Sequence, residues 1–333
     1  MNDKSAKTLH IIIAINQMVD VYLPDLVERL KPDPIRIIEF YPKPIITSYT
    51  GPELKRYLHP NRRGYLRDLK QCLSDIQELE RGYGRINFYF AHIFSALTNH
   101  LFFSKNKKYR FHLIPDGIAN YYRISTRALF IKMVLKKITS ILTGIRYTMY
   151  AGHLTGIETG RFQSIYTLSE QGLIAGDTPV IKLDLKWKSR FEKIETPQLL
   201  VLGQSYTDYR YYKSRHRQIF DYVRSNYGKQ FKLFYKAHPN EKVVPGFMDM
   251  LKDFNIDFIT TDRPVEYFAG AYQIIVSEFS SALSNIKIIY GDGIRCIGFI
   301  KIPERRLFNN YRRNRLIEIK EHFRHMGVEV IEQ

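Results

Sequence analysis

Three short segments hold the residues best able to do chemistry. Asp116 follows an apolar run and precedes Gly117, which permits a tight turn, so its carboxylate can serve as a general base on a hydroxyl. Lys236 and His238 lie two residues apart, with Pro239 fixing the turn after them. On an extended chain their ammonium and imidazole point the same way, toward a phosphate or a leaving group. Ser280 and Ser281 follow a further apolar run and open a helical pattern. Two hydroxyls and the free amides of a helix start suit an anion. An acid from one half of the chain and a basic, hydroxyl-rich group from the other suit transfer of a group off a phosphate.

Each segment also has a plainer reading. Asp-Gly is a common turn, His238 and Lys236 can be a turn histidine beside a solvated lysine, and serine is a routine N-cap. Two weaker candidates stand nearby. Gly203 and Gln204 follow the run 198–202 and can approach a nucleotide. Glu266, after Pro264, can accept from a ribose or base, or simply favour the first turn of a helix.

Positioning these groups requires strands that end where they begin. Residues 9–15 form a continuous β-branched run, as in a parallel strand buried on both faces. Residues 35–40, 86–90 and 109–114 read as further strands, and 22–30, 53–81 and 92–103 as helices. The rhythm restarts after a charged stretch at 182–196, the best linker candidate. Strands are then expected at 198–202, 231–235, 256–260, 274–277 and 296–299. Helices are expected at 211–227, 247–251, 265–269, 280–286 and 305–325. Alternating strands and helices predict an α/β fold with mainly parallel sheets. The expected domains are 1–190 and 191–333, with the last helix able to pack back on the first. Residues 127–150 are apolar and basic together, a pattern that fits either an anionic membrane surface or a helix packed on its domain with lysines in water.

Composition sets further bounds. The 333 residues exceed one ordinary core. Lysine and arginine total 51 against 33 acidic residues, a net charge of +18, which implies an anionic partner: nucleic acid, a membrane surface or a phosphorylated substrate. Tyr209-Arg210-Tyr211-Tyr212-Lys213 interleaves rings and cations in a way compatible with nucleic acid. Cys72 and Cys296 make no disulfide framework, and a reducing cytoplasm fits. The apolar run at 9–15 ends at Asn16 and Gln17 without a cleavage site, and no segment reaches the roughly 20 apolar residues that span a bilayer.

Several signatures are missing. The sequence has no Asp-x-Asp to bridge a metal to a diphosphate, no GxxxxGK[ST], no GxGxxG after the first strand, no HExxH and no GxSxG. His322 and His325 lack the partners of a zinc site. Kinase, dehydrogenase and serine-hydrolase chemistry lose ground.

Taken in order, Asp116-Gly117, His238-Pro239 and Ser280-Ser281 resemble the motifs of bacterial sialyltransferases of lipooligosaccharide, O-antigen and capsule assembly, polysialyltransferases included. The strings Asp116-Gly117-Ile118-Ala119-Asn120-Tyr121 and Ser280-Ser281-Ala282-Leu283 add to the likeness, which covers residues 116–284. One departure is Pro115, which occupies the first acidic position of the family's acidic-acidic-Gly motif. The resemblance implies a GT-B fold, two Rossmann-like domains facing across a cleft. It implies inverting transfer of sialic acid from its CMP-linked donor without metal or other cofactor. Asp116 and His238 would be catalytic. Lys236, Pro239, Ser280, Ser281, Gly203, Gln204 and Glu266 would bind the donor, and Gly117 and Asn120 the acceptor. The expected partners are a CMP-sugar, an oligosaccharide or lipid-linked glycan, and an anionic membrane surface, with no nucleic acid. The expected location is the cytoplasm or the inner face of its membrane. A different CMP-linked sugar (Kdo, pseudaminic or legionaminic acid) and a non-enzymatic nucleic-acid binder are the rival readings.

Overall fold

β-Branched runs become central strands. In β1 (Thr8–Ala14) the side chains of Ile11, Ile12 and Ile13 are all fully buried, so both faces of the strand are covered. The computed structural model describes residues 7–332 except 16–17, 40–53, 57–61, 186–195, 205–208, 239–240, 242–243, 262 and 304–309. Pro239 and most of the expected linker therefore lie outside the described residues. The chain divides into two compact units, Met1–Leu185 and Lys186–Gln333.

In the first unit the elements run β1, α1 (Met18–Leu30), β2 (Ile35–Glu39), β3 (Leu54–Arg56), α2 (Arg62–Glu80), β4 (Arg85–Phe90), α3 (Ala96–Phe102), β5 (Tyr109–Leu113), α4 (Phe130–Thr143), β6 (Phe162–Thr167) and β7 (Val180–Lys182). All strand pairs are parallel, in the order β3-β2-β1-β4-β5-β6-β7. In the second unit they run β8 (Gln198–Leu202), α5 (Tyr209–Tyr227), β9 (Lys232–Lys236), α6 (Phe247–Asp253), β10 (Ile256–Ile259), β11 (Ile274–Ser277), α7 (Ser281–Tyr290), β12 (Arg295–Ile300), α8 (Asn310–His325) and β13 (Glu329–Glu332). Its parallel sheet has the order β10-β9-β8-β11-β12-β13.

Both orders reverse beside the unit's first strand, so each sheet has a switch point, β1 with β4 and β8 with β11. Crossovers leave on opposite faces there, and the crevice between the strand ends is where open α/β sheets bind ligands. Rings fill the core of the second unit, with Phe220, Phe247 and Phe299 fully buried. Burying each such side chain contributes about 1.5–3 kcal/mol.

Local departures from the sequence reading have physical causes. The helix expected over 53–81 begins only at Arg62, because Leu54–Arg56 pairs with β2 as an edge strand. The helix expected from residue 92 begins at Ala96, because the Ser95 hydroxyl accepts from Thr98 N at 3.1 Å and caps it there. His92 is thereby left in the loop beyond β4. The segment 127–150 is α-helical only over Phe130–Thr143, after a 3-10 turn at Thr126–Leu129, and the helix ends at Gly144, whose φ of 72° breaks it. The last helix, α8, lies against β12 and β13 of its own unit. The Phe323 ring closes over Gly298, where an added Cβ would stand 2.8 Å from it.

Candidate functional site

In the second unit the sheet order brings three strand ends together. β9 ends in Lys236 and leads to His238, β8 leads to Gly203 and Gln204, and β11 leads through Glu278 to Ser280. Gly203 N donates to Lys236 O at 2.8 Å, tying the first two ends. Across the switch point the Gln204 amide donates to Ser277 Oγ at 3.1 Å, and Ser277 Oγ donates to Leu202 O at 3.1 Å. Gly203 leaves no room for a side chain. A Cβ there would come within 2.0 Å of Glu241 Oε2 and 2.3 Å of Tyr235 Oη.

Ser280 is the N-cap of α7, and its hydroxyl accepts from Ala282 N at 3.3 Å. Ser281 is the first helical residue, so both serines stand where the helix has amides without intrahelical partners. The loop before them is held by a buried ion pair. Arg215 Nε donates to Glu278 Oε1 at 2.8 Å, and the same guanidinium donates to Phe299 O at 2.6 Å.

Lys236 is buried, and its ammonium is the electrostatic centre of the site. Burial first, then the Lys236 charge, pushes the His238 imidazole below its usual pKa, so the ring is neutral near pH 7. Burial pushes the carboxyls of Glu241 and Glu266 up, and Lys236 offsets part of that rise in both. Glu266 sits in a 3-10 turn, where its Oε1 accepts from the Asn285 amide of α7 at 2.8 Å. Its carboxylate thus already serves the helix that carries the two serines.

Beneath His238 lies a buried polar network that sequence reasoning missed. Glu241 Oε2 accepts from His238 N at 2.8 Å, and Glu241 N donates to His238 O at 2.8 Å. The hydroxyls of Tyr212 and Tyr235 both donate to Glu241 Oε1. His216 Nε2 lies 2.9 Å from the Tyr235 hydroxyl, and burial lowers its pKa to about 4.

In the first unit Asp116 lies just past β5, on the loop that leads into a 3-10 turn over Gly117–Asn120. Gly117 takes a φ of 54°, the left-handed conformation that makes the turn cheap for glycine. Two hydrogen bonds set this loop: Tyr22 Oη donates to Pro115 O at 2.9 Å, and Ile114 N donates to Phe90 O at 3.2 Å. Asn120 is 2% exposed, and among the described residues neither its amide nitrogen nor its amide oxygen has a hydrogen-bond partner. Such a group costs about 1–3 kcal/mol, which a ligand hydroxyl would relieve.

His92 joins this set. Its pKa is lowered by burial and raised in part by the charge of Asp116, so the two side chains interact. Phe94 N donates to His92 Nδ1 at 3.2 Å, which puts the proton of the neutral ring on Nε2. Lys136 of α4 also acts on His92, and burial lowers the Lys136 pKa to about 8. On the same carboxyl edge, burial and the charge of Glu39 raise Asp20 to about 7. The signal for His92 was present in the sequence, a histidine two residues beyond a strand, but the helical reading of 92–103 hid it.

Among the described residues no group of three or more His, Cys, Asp and Glu converges to hold a metal ion, and no helix is long and apolar enough to cross a membrane. No family model matches the chain, and neither does any curated protein sequence. Solved structures do match. A sialyltransferase from Photobacterium damsela superposes with a TM-score of 0.58 at 11% identity, over 98% of this chain and 82% of that one. A UDP-GlcNAc 2-epimerase from Neisseria meningitidis bound to UDP-GlcNAc gives 0.53 at 12% identity, over 97% and 94%. A Methanocaldococcus jannaschii UDP-GlcNAc 2-epimerase in complex with UDP-GlcNAc and UDP gives 0.52 at 12%, over 95% and 92%. At these identities the likeness is one of fold: the chain is of GT-B type, with two Rossmann-like units.

Proposed function

We propose that the chain is an inverting, metal-independent glycosyltransferase that moves sialic acid from CMP-sialic acid to a hydroxyl of a bacterial surface glycan. The observation that carries this reading is the convergence of Lys236, His238 and the Ser280-Ser281 helix start on neighbouring strand ends at the switch point of the second unit. A lone phosphate, as in a CMP-sugar, can be neutralised there by one ammonium, an imidazole N–H and helix-start amides. The likeness to a sialyltransferase fold supports the choice of donor.

In this mechanism the acceptor oxygen forms a bond to the anomeric carbon as the bond to the phosphate oxygen breaks. CMP departs with the electron pair, and Asp116 takes the hydroxyl proton. Negative charge grows on the departing phosphate, where Lys236, His238, Ser280 and Ser281 stabilise it. An incoming phosphate raises the His238 pKa, so a ring that is neutral in the free protein becomes a better donor once the nucleotide is bound. Gly203 lets the backbone approach the nucleotide, with Gln204 beside it. Gly117 and Asn120 receive the acceptor, and His92 holds its Nε2 proton beside Asp116.

Thermal stabilisation by CMP, CDP, UDP and GDP, each with and without EDTA, tests the donor. The expected result is stabilisation by CMP that EDTA leaves unchanged. Stabilisation by UDP alone would move the chain toward the UDP-GlcNAc chemistry named for two of its fold relatives. Salt-dependent oligonucleotide binding with no response to CMP would make it a nucleic-acid binder. CMP release from CMP-sialic acid, compared with CMP-Kdo and the CMP-linked pseudaminic and legionaminic acids, then identifies the sugar.

A further inference from the structure

α4 is attached to its unit by its polar side. Met133 is its only buried residue. Lys136 Nζ donates to Phe94 O at 2.5 Å and stands 3.8 Å from the centroid of the Phe94 ring. Ser140 Oγ accepts from Tyr147 N at 2.9 Å, and Lys137 Nζ donates to Tyr147 O at 3.0 Å. The opposite side carries Ile131, Leu135, Ile138 and Leu142, which are 75%, 58%, 49% and 81% exposed. Their spacing places them on one stripe of the helix, and exposed Phe130 and Ile141 widen it to an arc of about 140°. An amphipathic helix of a folded domain ordinarily turns such an arc inward.

The charge around the arc has one sign. No acidic residue occurs between Asp116 and Glu158, whereas Arg123, Arg127, Lys132, Lys137 and Arg146 all fall in that interval and are exposed. Pairing two copies of the chain through α4 would set this cationic rim against itself. An anionic lipid surface complements both the rim and the apolar arc.

We propose that α4 lies in the interface of an anionic bilayer, with Ile131, Leu135, Ile138 and Leu142 at the boundary between headgroups and acyl chains and the flanking cations on the headgroups. The surface belongs to the first unit, whereas the residues proposed for the donor belong to the second. Because Lys136 ties α4 to the loop that carries His92, docking would bring the residues around Asp116 near a lipid-anchored acceptor, a consequence that rests on the function proposed above.

The test is co-sedimentation of the full chain, without nucleotide, with phosphatidylglycerol-containing vesicles and with pure phosphatidylcholine vesicles. The expected result is binding to the anionic vesicles at least about tenfold stronger, weakened by salt. The variant I131E/L142E, altered only at exposed side chains, should stay in the supernatant with an unchanged circular dichroism spectrum, and K132E should bind less. The proposal is overturned if the parent does not sediment with anionic vesicles, if it binds both vesicle types equally, or if I131E/L142E binds as the parent does. A dimer in light scattering that I131E/L142E converts to monomer would assign the surface to a second copy instead. CMP binding, measured separately, reports on the donor site alone.

Discussion

The Glu241 carboxylate clasps the backbone of His238: Oε2 accepts from His238 N at 2.8 Å while Glu241 N returns a bond to His238 O at 2.8 Å. The imidazole is therefore held through its main chain by a residue whose side chain is completely buried. Glu241→Ala removes the acceptor shared by the Tyr212 and Tyr235 hydroxyls and the His238 amide, while Tyr235 keeps His216. Thermal or denaturant unfolding should register a loss of about 1–3 kcal/mol. Glu241→Gln keeps one of the two acceptor oxygens, and the tyrosine hydroxyls can turn to accept from its amide, so it should lose less stability than the alanine variant, yet raise the KM for donor. An alanine variant with parental stability would remove Glu241 from this role.

Gly203 is the tightest point of the site, since a Cβ would meet Glu241 and Tyr235 at 2.0 Å and 2.3 Å. Gly203→Ala must push that network aside, at a cost of about 1–3 kcal/mol. Loss of CMP-induced stabilisation should accompany it. A variant that binds CMP as the parent does would show that the network yields freely.

His238 titrates below its usual range in the free protein, through burial and then through the Lys236 charge. A bound phosphate favours the charged ring, so donor affinity should fall as pH rises through the range in which the imidazole loses its proton. His238→Ala should weaken donor binding and abolish that slope. A slope that survives in the variant would assign the titration to another group.

Asp20 reports on the first unit. Burial and the Glu39 charge raise its pKa from 3.8 to about 7, so the folded chain keeps a proton that the unfolded chain releases. Stability accordingly falls as pH rises through that window and levels off above it. Asp20→Asn should flatten the slope by on the order of 1 kcal/mol, after allowance for solvent screening. Denaturant midpoints at pH 5 and pH 8 that shift equally in parent and variant would contradict this.

Most strands were legible in the sequence because apolar, β-branched runs have few other places to go. β1, β8 and β11 are such runs, buried on both faces. Three of the four edge strands were not legible, whereas β10 was expected at 256–260. Leu54–Arg56, Val180–Lys182 and Glu329–Glu332 carry little pattern and exist through their pairing with β2, β6 and β12. The carboxyl edge of the first unit's sheet was half legible. Asp116-Gly117 reads directly, whereas His92 was absorbed into an expected helix that the Ser95 cap excludes.

By itself the sequence determined the α/β class, the chemical types at the strand ends and the cationic, acid-free interval around α4, because residue identity sets local conformation and charge. Only the tertiary structure decided which strand ends are neighbours. The β9-β8-β11 order places Lys236, Gly203 and Ser280 on adjacent termini, although long stretches of chain separate them. It also decided that Glu241 turns inward beneath His238 and that α4 turns its apolar side outward. Both depend on which partners burial supplies, and burial is a property of the packed chain that no local pattern encodes.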